Sequence, residues 1–112
     1  MSKYKAKKTV VDGIEFDSAK EAKRFKELRL LEQAGEIQGL LRQVTYELIP
    51  LQRKPSGKSE RAVKYVADFV YLCNGQRVVE DVKGFRKSTA YAVFAIKRKL
   101  MLQKYGIEVR EI

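Results

Sequence analysis

The stretch YVADFVYLCNGQRVVEDVKG, residues 65–84, decides the fold. Two runs rich in Val, Tyr and Phe flank Asn74-Gly75, the strongest short signal for a two-residue type I′ hairpin turn. With that turn, Cys73 faces Gln76, Val70 faces Val79, Asp68 faces Asp81 and Val66 faces Lys83. Residues two apart share a strand face, so Asp81 and Lys83 project together with Asp68. Val66, Val70, Leu72 and Val79 are expected on that face, and Tyr65, Ala67, Phe69, Tyr71, Val78 and Val82 on the other. Both faces are apolar, which predicts an internal hairpin covered on both sides. Glu80 has the opposite parity and points away from the acidic pair, where a salt bridge or a solvated edge position accounts for it.

Opposed like charges destabilise a sheet. At a separation of about 5 Å and an effective dielectric of about 20, the repulsion is roughly 3 kcal/mol. That is a large fraction of the stability of a small domain. A divalent cation turns the repulsion into attraction, and Mg²⁺ suits such a site because it takes carboxylate oxygens, waters and substrate phosphate together. The competing reading places both acids on a solvated face, and their apolar neighbours weigh against it.

Outward from the hairpin, the other elements follow from turn and cap signals. Thr9–Val11 and Ile14–Phe16 flank Asp12-Gly13, a second hairpin turn. Asp17-Ser18 opens a helix running to about Gln33–Ala34, with Gly35 as its stop. Val44–Gln52 reads as a strand, and Arg53–Glu60 as a polar, basic, flexible loop. Arg61–Cys73 and Gln76–Lys83 are the hairpin strands. Ser88 can cap a second helix to about Lys104–Tyr105, with Gly106 past its end, and Ile107–Ile112 is a last short strand. After the small leading β-hairpin the order is α-β-β-β-α-β, an α+β domain. Residues 1–8 are expected to form a basic flexible arm and residues 9–112 a single domain.

The 112 residues suffice for one modest core. Lys and Arg number 24 against 14 Asp and Glu, a net charge of +10, which predicts a polyanionic partner, nucleic acid before an anionic membrane surface. No apolar run is long enough to span a bilayer, and the first residues are basic rather than apolar, so a cytoplasmic protein is expected. One cysteine, Cys73, excludes an internal disulfide and a Cys-rich zinc site. The absence of histidine removes the commonest general base and His-ligated metals. Any catalysis then falls to carboxylates, lysines and a hard cation.

Ser18-Ala-Lys-Glu21 matches a capping box, which by itself explains Glu21. Glu21 also sits amid Ala22, Phe25, Leu28 and Leu31, the apolar stripe that must face the sheet, so it can lean toward the hairpin acids as a third carboxylate. The second helix has a stripe of Val93, Phe94, Ile96, Leu100 and Met101 with Lys97 near its middle. Lys97 either snorkels past the core edge or meets a phosphate near the site. Lys5, Lys7, Lys8, Arg53, Lys54, Lys58, Arg86 and Lys87 are further candidates for phosphate contacts. Gln43, just before a strand, is an auxiliary candidate for orienting a water or a ligand.

These residues carry a family resemblance. Tyr65-Val-Ala-Asp68-Phe followed by Glu80-Asp81-Val-Lys83-Gly84 resembles the PD-(D/E)XK nuclease signature, and Glu21 matches that superfamily's first acidic motif. Asp-x-Lys alone has little weight; the hairpin partner, the helix acid and coverage of most of the chain supply it. Ala67 stands where the signature's nominal proline would be. More closely, the chain resembles a family of small phage-borne endonucleases catalogued as a domain of unknown function, through Glu21-Ala-Lys-Arg24-Phe25, Leu31–Ile37, Tyr65–Tyr71, Glu80–Gly84 and Lys97–Met101. Holliday junction resolvases are more distant relatives in the same superfamily.

The resemblance implies an αβββαβ, restriction-endonuclease-like core with a mixed central sheet flanked by helices. It implies that Asp68 and Asp81, with the Val82 carbonyl, bind Mg²⁺ or Mn²⁺, that Lys83 positions or activates the attacking water, and that Glu21 completes the site. The expected activity is DNA endonuclease cleavage leaving 5′-phosphate and 3′-hydroxyl ends, in a host cytoplasm if a phage encodes it. The expected partner is duplex or branched DNA, and cutting both strands favours a homodimer. The alternatives are a non-catalytic DNA-binding module on a nuclease-like fold, which binds without cutting, and a basic structural protein, in which Asp68→Asn or Asp81→Asn stabilises the fold at no functional loss.

Overall fold

Asn74 and Gly75 take left-handed backbone angles, φ 53° and 76°, as the type I′ turn demands. The register that follows is the expected one from Cys73 opposite Gln76 through Val70 opposite Val79 to Phe69 opposite Glu80, but the ladder stops there, so Asp68 and Asp81 do not form the expected directly opposed pair.

The computed structural model describes residues 8–84 and 86–112. Its elements in chain order are β1 (Thr9–Val11), β2 (Ile14–Phe16), α1 (Ala19–Gln33), β3 (Gln38–Ile49), β4 (Gln52–Arg53), β5 (Ser59–Glu60), β6 (Val63–Cys73), β7 (Gln76–Asp81), α2 (Thr89–Tyr105) and β8 (Arg110–Glu111). The expected arm, with Lys5 and Lys7, lies outside the described residues except for Lys8. β3, β6, β7 and β8 form a sheet in that spatial order, and β1–β2 and β4–β5 are separate two-stranded hairpins. β3, β6 and β7 run antiparallel, whereas β8 is parallel to β7. Parallel neighbours need a long crossover, which α2 provides. The domain is therefore α+β with a mixed sheet. No helix among the described residues is long and apolar enough to cross a membrane.

Each helix covers one sheet face. Ala22, Phe25 and Leu28 of α1 pack with Phe16, Ile37, Phe69, Tyr71 and Val78. Phe94 and Met101 of α2 pack with Tyr46, Leu48, Tyr65, Ala67, Val70 and Val79. The sheet is thus buried on both sides, as two apolar strand faces require.

The two clusters correct the expected faces. In β6, Tyr65 and Ala67 face α2, yet Phe69 and Tyr71 face α1, so the alternation reverses at Asp68. β3 reverses with it: Leu40 faces the α1 side, and Val44, Tyr46 and Leu48 the α2 side. The cause lies at Gln43, whose φ of 53° turns the strand over while Arg42 still pairs with Phe69 and Val44 with Ala67. Gln43 and Asp68 themselves form no rung. Val66 accordingly lies 46% exposed rather than in the core beside Val70.

Other expectations shift for local reasons. β3 starts at Gln38 rather than Val44, because a bulge at Gly39 (φ 65°) and the reversal at Gln43 mask the alternation there. Gln43 thus lies within a strand. β7 ends at Asp81, and the chain then turns from β6 to β8: Lys83 N–H donates to Ile112 O at 3.1 Å, so Val66 pairs with Thr45 and not with Lys83. The basic loop 53–60 closes through β4 and β5, with Arg53 donating to Gly57 O at 2.9 Å. The last strand is only Arg110–Glu111. The helix stripes are narrower than expected, since Leu31, Val93 and Ile96 are exposed.

Candidate active site

Ser18 caps α1 by accepting from Glu21 N–H at 3.1 Å, which fixes Glu21 in the first turn. The capping serine is as expected. The Glu21 side chain, buried, turns toward the sheet, where Gln43 Nε2 donates to its Oε1 at 3.4 Å.

Asp68 sits where β6 reverses and β7 ends. Its Oδ2 accepts from Val82 N–H at 2.8 Å, replacing the rung that the ladder lacks there. Asp81 is buried, with Tyr65 Oη donating to Oδ2 at 2.7 Å and Lys83 Nζ 2.9 Å from Oδ1. Lys83 Nζ lies 3.6 Å above the Phe94 ring, so one amine is held by a carboxylate and an aromatic face together. Lys20 Nζ donates to the Lys83 carbonyl at 2.6 Å and ties α1 to this segment.

Burial pushes the Asp68 carboxyl up to about 7; Val82 N–H opposes that rise, and the charges of Asp81 and Glu21 add to it. Burial likewise raises Glu21, with Asp17 and Asp81 adding and Arg42 and Gln43 opposing. Burial and the bond to Asp81 hold the Tyr65 hydroxyl far above its ordinary value, so it stays a donor. The structure thus brings Asp68, Asp81, Lys83 and Glu21 to one end of the sheet. Glu21 is the outlying member, and among the described residues no three acids or cysteines converge closely enough to cage an ion unaided. The donors are all oxygen, a set that fits a hard cation completing its shell with water.

A pH dependence follows from Asp68. Its native value lies above the ordinary 3.8, so the folded protein binds more protons between about 4 and 7. Stability in a chelator should therefore fall as pH rises through that window. Melting curves at pH 5 and pH 7.5 check this, and Asp68→Asn should flatten the difference.

Lys97, half-buried, lines a cavity of about 270 Å³ with Lys64, Tyr65, Asp81, Lys83 and Phe94, so it stands beside the acids. None of the other described basic candidates lines this cavity. Arg53, Lys54 and Lys58 are exposed on the β4–β5 hairpin, where Lys54 pairs with Glu60 at 3.0 Å. Lys8 pairs with Glu15 at 3.6 Å, Arg86 pairs with Glu111 at 3.6 Å, and Lys87 is exposed.

Sequence reasoning missed the group that seats α1 on the sheet. Glu80 is fully buried, not at an edge; Arg24 grips it through Nε at 2.8 Å and Nη2 at 2.6 Å, and Tyr71 Oη donates to the same carboxylate. Arg24 is three residues after Glu21 on the same helix. The strand pattern places Tyr65 on an apolar face, and only its contact with Asp81 reveals its polar role.

A family model described as "Protein of unknown function (DUF1064)" matches residues 1–111. No curated protein and no solved structure matches the chain.

Proposed function

The chain belongs to the DUF1064 family, and we propose that it is a Mg²⁺- or Mn²⁺-dependent DNA endonuclease of the PD-(D/E)XK type, of the kind that phages carry. The observation that carries this reading is the meeting of Asp68 with Asp81 under a lysine, Lys83, in a chain of net charge +10. A buried acid pair is costly in a protein with no ion there and useful in one that recruits a cation and a phosphate. The order α1-β3-β6-β7-α2-β8 around a mixed sheet is in keeping with the superfamily's core.

Asp68, Asp81, the Val82 carbonyl and Glu21 would hold the ion. When bound, it supplies Lewis-acid polarisation of the phosphate and lowers the pKa of a bound water. Tyr65 orients Asp81 through its Oδ2. Lys83, pinned by Asp81 and Phe94, positions the attacking water and stabilises the charge that grows on the phosphate oxygens. Lys97 and the β4–β5 hairpin add phosphate contacts.

The test is incubation with plasmid, branched and single-stranded DNA in Mg²⁺, Mn²⁺ or EDTA. Cleavage is expected with either cation and not in EDTA. Cleavage that persists in EDTA or in Lys83→Ala would overturn the assignment. Metal binding has its own readout. Mn²⁺ at about 100 times its Kd should add about 2.7 kcal/mol, roughly 10 °C in melting temperature for a domain of this size. Asp68→Asn and Asp81→Asn should each remove most of that shift.

A further inference from the structure

The basic side chains near the acids are mostly committed. Arg24 is saturated by Glu80, Lys83 is held by Asp81, and Arg86 and Arg98 share Glu111. Arg42 differs. Its guanidinium lies 4.5 Å over the ring of Phe16, which is buried and packs on Phe25 at 5.1 Å. Its Nε is buried and lacks a hydrogen-bond partner among the described residues. No described carboxylate forms an ion pair with it. Yet its charge reaches Glu21 and opposes the rise of that carboxyl, which places it on the α1 flank of the acid cluster.

The backbone reversal explains how it gets there. Gln43 at φ 53° leaves Arg42 on the α1 side with Leu40 and sends Val44 to the α2 side. A non-glycine residue in this region carries strain, and such strain gathers at functional positions. The contact with Phe16 holds the guanidinium with Nε shielded, and the Nη groups of this half-buried arginine make no hydrogen bond or ion pair to a described residue. A cation held over an aromatic ring beside an acid site, with fork-shaped donors that bond no described residue, matches the non-bridging oxygens of a phosphodiester.

We propose that Arg42 is a phosphate-binding residue, which takes a substrate-strand phosphate on the α1 flank of Asp68 and Asp81. It rests on the nuclease reading and adds a second grip, across the acids from Lys97, so the strand is held on both sides of the cluster.

The experiment uses the full chain in an Asp81→Asn background, which binds without cutting. Binding to fluorescein-labelled duplex and single-stranded DNA is followed by anisotropy across a NaCl series. Arg42→Gln should weaken binding about 10-fold or more, the value of a charge-assisted hydrogen bond. It should also lower the slope of log affinity against log salt by about 0.9 on duplex or about 0.7 on single strands, one phosphate contact. Arg42→Lys keeps the charge, so it should retain the slope while losing affinity. Lys104→Gln, an equal loss of charge on an exposed residue at the end of α2, should leave the slope unchanged. An unchanged slope in Arg42→Gln, with only the Mn²⁺ midpoint altered, would overturn the proposal and leave Arg42 as a partner of Glu21. No salt-dependent binding in the Asp81→Asn parent would overturn the nuclease reading and this proposal with it. Melting temperature reports whether Arg42→Gln folds, and Arg42→Lys keeps the test decisive if it does not.

Discussion

Asp81→Asn is expected to lower DNA cleavage by about 1,000-fold or more while the domain stays folded. Asp81 touches the three groups that matter here: its carboxylate accepts from Tyr65, pairs with Lys83 and stands against Asp68. Removing its charge takes away a proposed metal ligand, which would be worth several kcal/mol of transition-state stabilisation, and each 1.36 kcal/mol is tenfold in rate. It also frees Lys83 Nζ, which Oδ1 now fixes at 2.9 Å. The fold should tolerate the change. The asparagine oxygen still accepts from Tyr65, and the repulsion with Asp68 disappears, so the melting temperature in EDTA should hold or rise. Single-turnover cleavage in Mn²⁺ beside a melting curve checks both halves. A folded variant that retains a tenth of the wild-type rate would remove Asp81 from the chemistry.

Arg24→Ala is expected to have the largest effect on stability. It strands the Glu80 carboxylate, wholly buried, with Tyr71 as its remaining partner. Breaking a buried pair from one side costs about 3–5 kcal/mol. At about 4–8 °C per kcal/mol for a domain of this size, the melting temperature should drop by about 12 °C or more. The double variant Arg24→Met with Glu80→Leu removes both charges and should recover most of that loss, because apolar replacements of similar volume are often neutral. Urea denaturation of the single and double variants measures the difference. A single variant within 1 kcal/mol of wild type would mean that the pair does not seat α1.

How much of this was legible in the sequence depends on the range of the interaction. Asn74-Gly75 and Ser18 act on their immediate neighbours, so the hairpin register and the start of α1 could be read directly. The same register sets Asp68 directly opposite Asp81; the two side chains do meet, but the ladder stops one pair short and Asp68 accepts from Val82 N–H instead. Its extension to Val66 and Lys83 failed, because β7 ends at Asp81 and Lys83 turns to β8, and the expected strand faces failed because the chain reverses at Gln43, where glutamine gives no local sign of a positive φ. Arg24 and Glu80 meet across 56 positions, so neither announces the other. Nothing local in the sequence singles out Arg42 among 24 basic residues; Phe16 beneath it distinguishes it, and that contact depends on the tertiary fold. Val93 and Ile96 fit the helical period but lie beyond the edge that α2 covers.

The bond from Val82 N–H to Asp68 Oδ2 ties the architecture to the chemistry through one side chain. A backbone donor left without an acceptor at that rung would cost about 1–3 kcal/mol, whatever the protein is used for. On the proposed nuclease reading, position 68 is therefore under two independent selective pressures, and Lys83 under the chemical one far more than the architectural. In a lineage that gave up cutting, the lysine is free to drift early, while position 68 retains a side chain with an oxygen acceptor, asparagine being the nearest neutral choice. Inactive descendants would then still look like enzymes at Asp68 long after the reaction was lost.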